Sequence, residues 1–509
     1  MRGRVSEVNS LFVGTSNQLR EFETGTLAGF VGRFRMGSES SMIPFRYKAR
    51  CHAILNKYLS GESIDYRQVI SLLLPILIDQ AFLVGLSLVN TAMISSSGVA
   101  AISAVSMVDS LNLFLVNIFV ALATGGTVVV AQYKGSGNDK MLSKAAAASL
   151  SAVTLVAVTL SLVVLLFYHP ILKLLFGTAD PEVFDHAGTY LVGSALSYLG
   201  IAFKEAVSGA LRGIGRTRVT LGLSLILNLS YVLLNVLFVH FMEMGVLGLS
   251  VAVNISRYLA AACALFYLLR MDDSLRIRLK ELMNWNFSMF KKIMFIGLPF
   301  AAEQLFFNGG KMLTQIYIVS LGTYAIATNA ISSVFAMLLQ IPAIALSTAL
   351  VTVVGQCIGR GNIQDARKFT RSFLWLASGS LLVTGLILIP FFKPLVSLFR
   401  PPAEIMDDLY LIMLVNMLAQ IPLWSISFLL PGALRAAGDS RFTSISSMLT
   451  MWLFRVVLGY VFGITLNYGV FGVWAAMQLE WGVRGAIFLW RYRGERWYRH
   501  RLVEPASGK

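Results

Sequence analysis

Charge is what this chain has least of. Only 13% of its 509 residues are Asp, Glu, Lys or Arg and 56% are hydrophobic, whereas a soluble domain carries roughly a quarter charged residues. A balance this apolar excludes a water-soluble domain as the bulk of the chain; its main solvent is lipid. Cysteine is equally scarce. Cys51, Cys263 and Cys357 stand far apart and away from any His cluster, which excludes a disulfide framework and a structural zinc site. The opening residues lack the apolar core of a secretory signal. The chain has no His-Glu-x-x-His, no Gly-x-Ser-x-Gly and no phosphate-cradling GxxxxGK[ST], and its five histidines are scattered. An intramembrane enzyme and an organic cofactor are therefore not expected.

Acid is the scarcer sign, with 26 Asp and Glu against 42 Lys and Arg, a net charge of +16. The basic residues gather in short segments between apolar runs rather than on one polar face, so they read as topology signals and not as a nucleic-acid surface. A spanning helix needs about 20 mostly apolar residues. Runs between Gly, Pro and charged breaks predict spans over 69–95, 101–132, 145–168, 187–210, 219–240 and 245–269, then over 292–319, 325–356, 370–392, 405–430, 442–463 and 468–491. The expected fold is an all-α integral membrane protein of twelve transmembrane helices in two six-helix bundles, 69–269 and 292–491, about a central cavity. A cytoplasmic linker, 270–291, joins them. A basic, poorly ordered extension, 1–68, precedes the first, and a basic tail, 492–509, follows the second. Alternate connections hold Lys134, Lys140 and Lys144, then Arg212, Arg216 and Arg218, whereas those on the other side hold only Lys173, Lys393 and Arg400. By that asymmetry both termini are expected in the cytoplasm of a cell membrane.

The two bundles repeat each other. "VVVAQYKGSGN" (128–138) aligns with "TVVGQCIGRGN" (352–362), so that Gln132, Gly135, Gly137 and Asn138 fall on Gln356, Gly359, Gly361 and Asn362 at an offset of 224. The same offset carries Leu74-Pro75 onto Leu298-Pro299, and "GALRGIGRTR" (209–218) pairs with "GALRAAGDSR" (432–441). Six spans per repeat is an even number, so both halves enter the membrane in the same direction. Two similar bundles flanking a cavity favour a transporter over a receptor or a passive channel.

Carboxylates inside the spans are the site candidates, because a charge at mid-bilayer costs about 2.5–3.5 kcal/mol on insertion scales. The offset of 224 carries Asp79-Gln80 onto Glu303-Gln304, each acid four residues after the same proline. A proline frees a backbone carbonyl, and a carboxylate beside unpaired carbonyls suits a proton or Na+. Asp79 and Glu303 are thus the expected coupling residues, and no other metal site is expected. The alternative is that each acid pairs with a base to hold helices together, with Lys311, Arg257 and Arg455 as available partners. Cavity-lining candidates are Gln80, Asn90, Asp109, Gln304, Asn308, Lys311 and Asn329. Glu480 and Arg484, spaced i, i+4, suit a structural ion pair, and Arg257 and Arg455 join them as structural intramembrane charges. Arg212 and Arg435 read as anchors at helix ends.

The order of these motifs, duplicated over about 69–495, resembles the multidrug and toxic compound extrusion (MATE) family. The resemblance rests on "AQYKGSGN" and "GQCIGRGN" after the second and eighth spans and on the "LRxxGxxR" turns after the fourth and tenth. It implies a monomeric secondary antiporter exporting cationic or amphipathic organic compounds in exchange for Na+ or H+ by rocker-switch alternating access. Many members carry an acid late in the first helix, aligned here to Asn90, and one branch has an acid inside the tenth, which is uncharged here between Asp408 and Arg435. A second reading on the same broad architecture is a flippase of lipid-linked saccharides, which would need Lys311, Arg257 and Arg455 to face the cavity.

Overall fold

The structure is a computed structural model; it describes residues 52–53, 55–94, 99–177, 180–272, 275, 277, 286–397, 399 and 401–503. Residues from Tyr58 onward form one compact unit. In the first half α1 is Tyr66–Ile94, α2 Val99–Ser136, α3 Asp139–Phe176, α4 Pro181–Ile214, α5 Thr217–Asn235 and α6 Gly245–Arg270. In the second, α7 is Phe287–Ser320, α8 Thr323–Arg360, α9 Ile363–Leu388, α10 Met406–Ala436, α11 Ser440–Thr465 and α12 Gly469–Arg493. The expected all-α, two-bundle membrane fold is present.

Three of the twelve are less apolar than the rest. Nine helices among the described residues are long and apolar enough to cross a membrane, and α4, α7 and α12 are not among them. These three carry Lys204 and Glu205, Glu303 and Lys311, and Glu480 and Arg484 in their interiors. They pack against neighbouring helices, where such groups find protein partners in place of lipid.

Several helices start earlier than the apolar runs predict. The runs place α3 from 145 and α9 from 370, but they begin at Asp139 and Ile363. The cause is the repeated glycine-asparagine pair. Gly137 and Gly361 end the preceding helices in left-handed backbone, φ 71° and 81°, a conformation open to glycine. Asn138 and Asn362 then cap the next helices, their side chains accepting from the Met141 amide at 3.2 Å and the Asp365 amide at 2.9 Å. Polar first turns that look like loop are held helical by these caps.

In the first bundle the apolar core gathers on α2, α4 and α3, with Phe119, Leu122, Leu150, Tyr198 and Leu211 almost fully enclosed. Both halves depart from regular α-helix in places. Val236–Phe241 after α5, Ser425–Leu429 in α10, and Met451–Val457 and Val461–Thr465 in α11 are π-helical, a wider winding frequent at functional sites. Residues 1–51 of the expected extension and half of the 270–291 linker lie outside the described residues. The segment just before α1 packs down: the Ser63 amide donates to Asp365 Oδ2 at 2.7 Å. After α12, Trp497 is wholly buried.

Candidate functional site

Pro75 in α1 and Pro299 in α7 leave carbonyls without their helical donors. The sequence reading leaves these oxygens open for a cation; in the first half the structure gives the freed Ser71 carbonyl a donor. Thr217 Oγ1 donates to the carbonyls of Ser71 at 3.3 Å and Leu72 at 2.9 Å. In the second half Ser440, the repeat equivalent of Thr217, donates to the Ile296 carbonyl at 2.7 Å. A hydroxyl at the start of α5 or α11 thus satisfies the kinked helix beside it.

The two acids differ in their surroundings. Glu303 is buried and bound: Arg435 Nη1 sits 3.1 Å from its Oε2 and Ser444 Oγ donates to the same oxygen at 3.0 Å. The Arg435 guanidinium also lies 4.0 Å from the Phe300 ring centroid. Asp79 keeps a buried Oδ1 with no hydrogen-bond partner among the described residues; the Ser224 hydroxyl is within hydrogen-bonding reach of the carboxyl group, and the charges of Lys204, Arg212 and Glu205 act on it. Arg212, the equivalent of Arg435, turns instead to Glu205 at 3.6 Å, which also holds Lys204 at 2.8 Å.

Two sequence readings are corrected here. Arg435 is no anchor at the membrane surface; it is buried and serves as the partner of Glu303, a role for which the sequence offers Lys311, Arg257 and Arg455. Lys204 and Glu205 escape the sequence reading, although a Lys-Glu pair inside the apolar run "YLGIAFKEAV" carries the same signal that singles out Asp79.

Lys311, Gln304, Asn308 and Asn329 line cavities in the second half. A cavity of about 520 Å³ lies among α7, α8, α10, α11 and α12, bordered by Lys311, Asn329, Arg455, Phe428, Trp474 and Trp481. A second, of about 370 Å³, reaches across to Leu113 and Asn117 of α2 and includes Glu303, Gln304, Asn308, Lys311, Arg435 and Arg484. Asn329 accepts from Trp474 Nε1 at 3.1 Å and donates to Gln315 at 3.1 Å, while Asn308 is turned back to the Gln304 carbonyl at 2.9 Å. Glu480 and Arg484 form the expected pair at 2.8 Å, and Arg484 Nε also donates to Ser427 at 2.6 Å.

In the first half Asp109 accepts from Tyr190 at 3.0 Å while staying largely accessible, and Asn112 ties α2 to α4 through Ser194 and Tyr198. Arg257 donates to Ser197 at 2.7 Å, within the field of Asp109. Gln80 is half-buried on α1. The Asn90 side chain lies outside the described residues.

The motif glutamines join the bundles on the Lys/Arg-rich face. Gln132 Nε2 donates to the Ala436 carbonyl at 2.8 Å, and Gln356 Nε2 to the Gly213 carbonyl at 2.9 Å. Gly213 and Ala436 are themselves repeat equivalents, so each half closes on the other by the same bond. α2 and α8 cross so closely that a Cβ on Gly135 would collide with the Gln356 carbonyl, and one on Gly359 with that of Gln132. Gln132 also accepts from the Leu502 amide at 3.0 Å.

Two repeated bundles that meet on one face, with charged cavities in the second half, are the architecture of a membrane transporter. The chain matches the MatE family over residues 75–239 and 299–461, once in each half, and belongs to that family of transporters. It is similar to the uncharacterized transporter YisQ of Bacillus subtilis, 27% identical over 84% of this chain and 94% of that one. It is also similar to the probable multidrug resistance protein NorM of Thermotoga maritima, at 26% over 89% and 98%. Among solved structures the fold matches a mutant of the Vibrio cholerae MATE transporter VcmN with a TM-score of 0.78 and 20% identity, over 88% of this chain and 100% of the other.

Proposed function

We propose that this transporter is a monomeric secondary antiporter that carries small amphipathic organic compounds out of the cytosol in exchange for H+ or Na+, with its basic face and both termini cytoplasmic in the cell membrane. The reciprocal closure through Gln132 and Gln356 carries this reading. Those bonds sit within a packed interface of α2 with α7 and α8 and of α1 with α8, and the cavity of about 520 Å³ lies among α7, α8, α10, α11 and α12. A rocking motion that parts this interface, the two equivalent bonds included, opens the cytoplasmic side. The basic residues of that face set its orientation.

Asp79 is the coupling residue that this arrangement favours, and Glu303 its partner in the other half. An acid with one open oxygen accepts a proton or cation at small cost, and doing so changes the charge balance beside the Lys204, Glu205 and Arg212 cluster on α4. Glu303 changes state only by releasing Arg435. The test is flux of carboxyfluorescein and of rhodamine 123 in proteoliposomes under imposed H+ or Na+ gradients. Asp79→Asn is expected to abolish gradient-driven flux of whichever dye moves, and Asp79→Glu to retain it. Normal coupled flux in Asp79→Asn refutes the coupling assignment. A flippase of lipid-linked saccharides is the second reading, favoured by the two cations, Lys311 and Arg455, that border the larger cavity.

A further inference from the structure

We infer that the substrate bound in the second-half cavity is an organic anion: a carboxylate, sulfonate or phosphate on an aromatic or apolar body, held by Lys311 and Arg455. This deepens the transport reading above and rests on it. Cations outnumber acids around the two cavities. Lys311, Arg435, Arg455 and Arg484 face Glu303 and Glu480, and both acids are engaged, Glu303 with Arg435 at 3.1 Å and Glu480 with Arg484 at 2.8 Å. Lys311 and Arg455 make no ion pair within 4 Å among the described residues; Glu480, already paired with Arg484, is the one acid near both, and Arg455 Nε is buried with no hydrogen-bond partner.

One acid shared among Arg484, Lys311 and Arg455 leaves the cluster with net positive charge, which is costly at membrane depth unless a further anion neutralises it. Arg455 sits inside the π-helical Met451–Val457 segment, and Phe428 inside Ser425–Leu429, so two irregular windings bring a cation and an aromatic ring to one cavity. The remaining wall is aromatic. Phe428 stacks on Trp424 with centroids 5.1 Å apart and meets Trp481 edge-on at 5.7 Å. Lys311 Nζ lies 4.9 Å from the Phe307 centroid. The chemistry offered is two positive groups for an anionic head and ring faces for its body. The first half lacks this excess: the charged groups met there are Asp109 with Arg257, and Asp79 and Glu205 with Lys204 and Arg212.

The test compares two dyes of one ring system and opposite charge, carboxyfluorescein and rhodamine 123, by equilibrium binding to the purified full chain and by flux in proteoliposomes. Wild type is expected to bind and move carboxyfluorescein in preference. Lys311→Gln and Arg455→Gln should each weaken its binding by about tenfold to a hundredfold, the usual weight of a hydrogen bond to a charged group. Lys311→Arg should retain it, which separates a lost charge from a damaged fold, and Lys311→Glu should shift preference toward rhodamine 123. Coupled flux of rhodamine 123 that ignores these substitutions overturns the anion site and leaves the antiport reading standing. Carboxyfluorescein binding that depends on Lys311 and Arg455, with no flux on either gradient, keeps the anion site and overturns antiport. Farnesyl diphosphate added as competitor distinguishes sources: displacement of the dye by it but not by salicylate assigns a lipid phosphate, and the converse a free organic anion. If neither dye nor the diphosphate binds, the inference fails.

Discussion

Glu303→Gln should destabilise the second bundle by several kcal/mol, through the cation it strands. The side chains of Arg435 and Glu303 are only 10% and 9% exposed, so water screens the pair little. Removing one partner of a buried pair costs about 3–5 kcal/mol, most of it the desolvation of the charge left behind. The Phe300 ring under Arg435 returns about 2 kcal/mol at most, and the retained amide can still accept from Ser444. A net loss near the lower end of that range is expected for Glu303→Gln, and a similar one for Arg435→Met. The double variant buries no unpaired charge and should lose much less than the two singles together. Reversible unfolding in mixed micelles of mild detergent and dodecyl sulfate, followed by circular dichroism, closes the cycle. Losses that add within about 0.5 kcal/mol would mean the two groups are uncoupled, and the ion pair would not be what holds α7 to α10.

Two other changes probe the seam and the kinks. Gly135→Leu places a side chain against the Gln356 carbonyl and should hold the basic face open; Cys357, fully buried on α8 beside that crossing, then becomes reactive to maleimide in a Cys51→Ser, Cys263→Ser background. Continued protection of Cys357 would refute the seam as the closing contact. Thr217→Val leaves the carbonyls beside Pro75 without their donor and should cost about 1–3 kcal/mol in the same unfolding assay, with Ser440→Ala behaving alike; no loss in either would show that backbone or lipid-side water satisfies them.

The sequence alone determined what is local or periodic. Apolar runs set the number of helices because a bilayer admits backbone only as closed helix or barrel. The offset of 224 exposed the repeat, and the glycine-asparagine pair marked helix ends because left-handed backbone and a side-chain cap are short-range needs. It also picked out Asp79, Glu303 and the Glu480–Arg484 pair, since an intramembrane charge stands out against its neighbours and an i, i+4 partner lies on the same helix. Tertiary structure decided every question of which helix faces which. Arg435 looked like a surface anchor from its place near the end of α10, and only the packing of α10 on α7 brings it to Glu303. The carbonyl freed by Pro75 looked open until Thr217 arrived from another helix. The glutamines of the repeat gained a role only when each half was seen to reach the other's turn, and Lys311 and Arg455, from α7 and α11, meet at one cavity through a π-helical winding that no periodicity announces. Hydrophobicity is read along the chain, but the partner of a buried charge is chosen across it, and the low dielectric that makes the choice costly exists only once the bundle has formed.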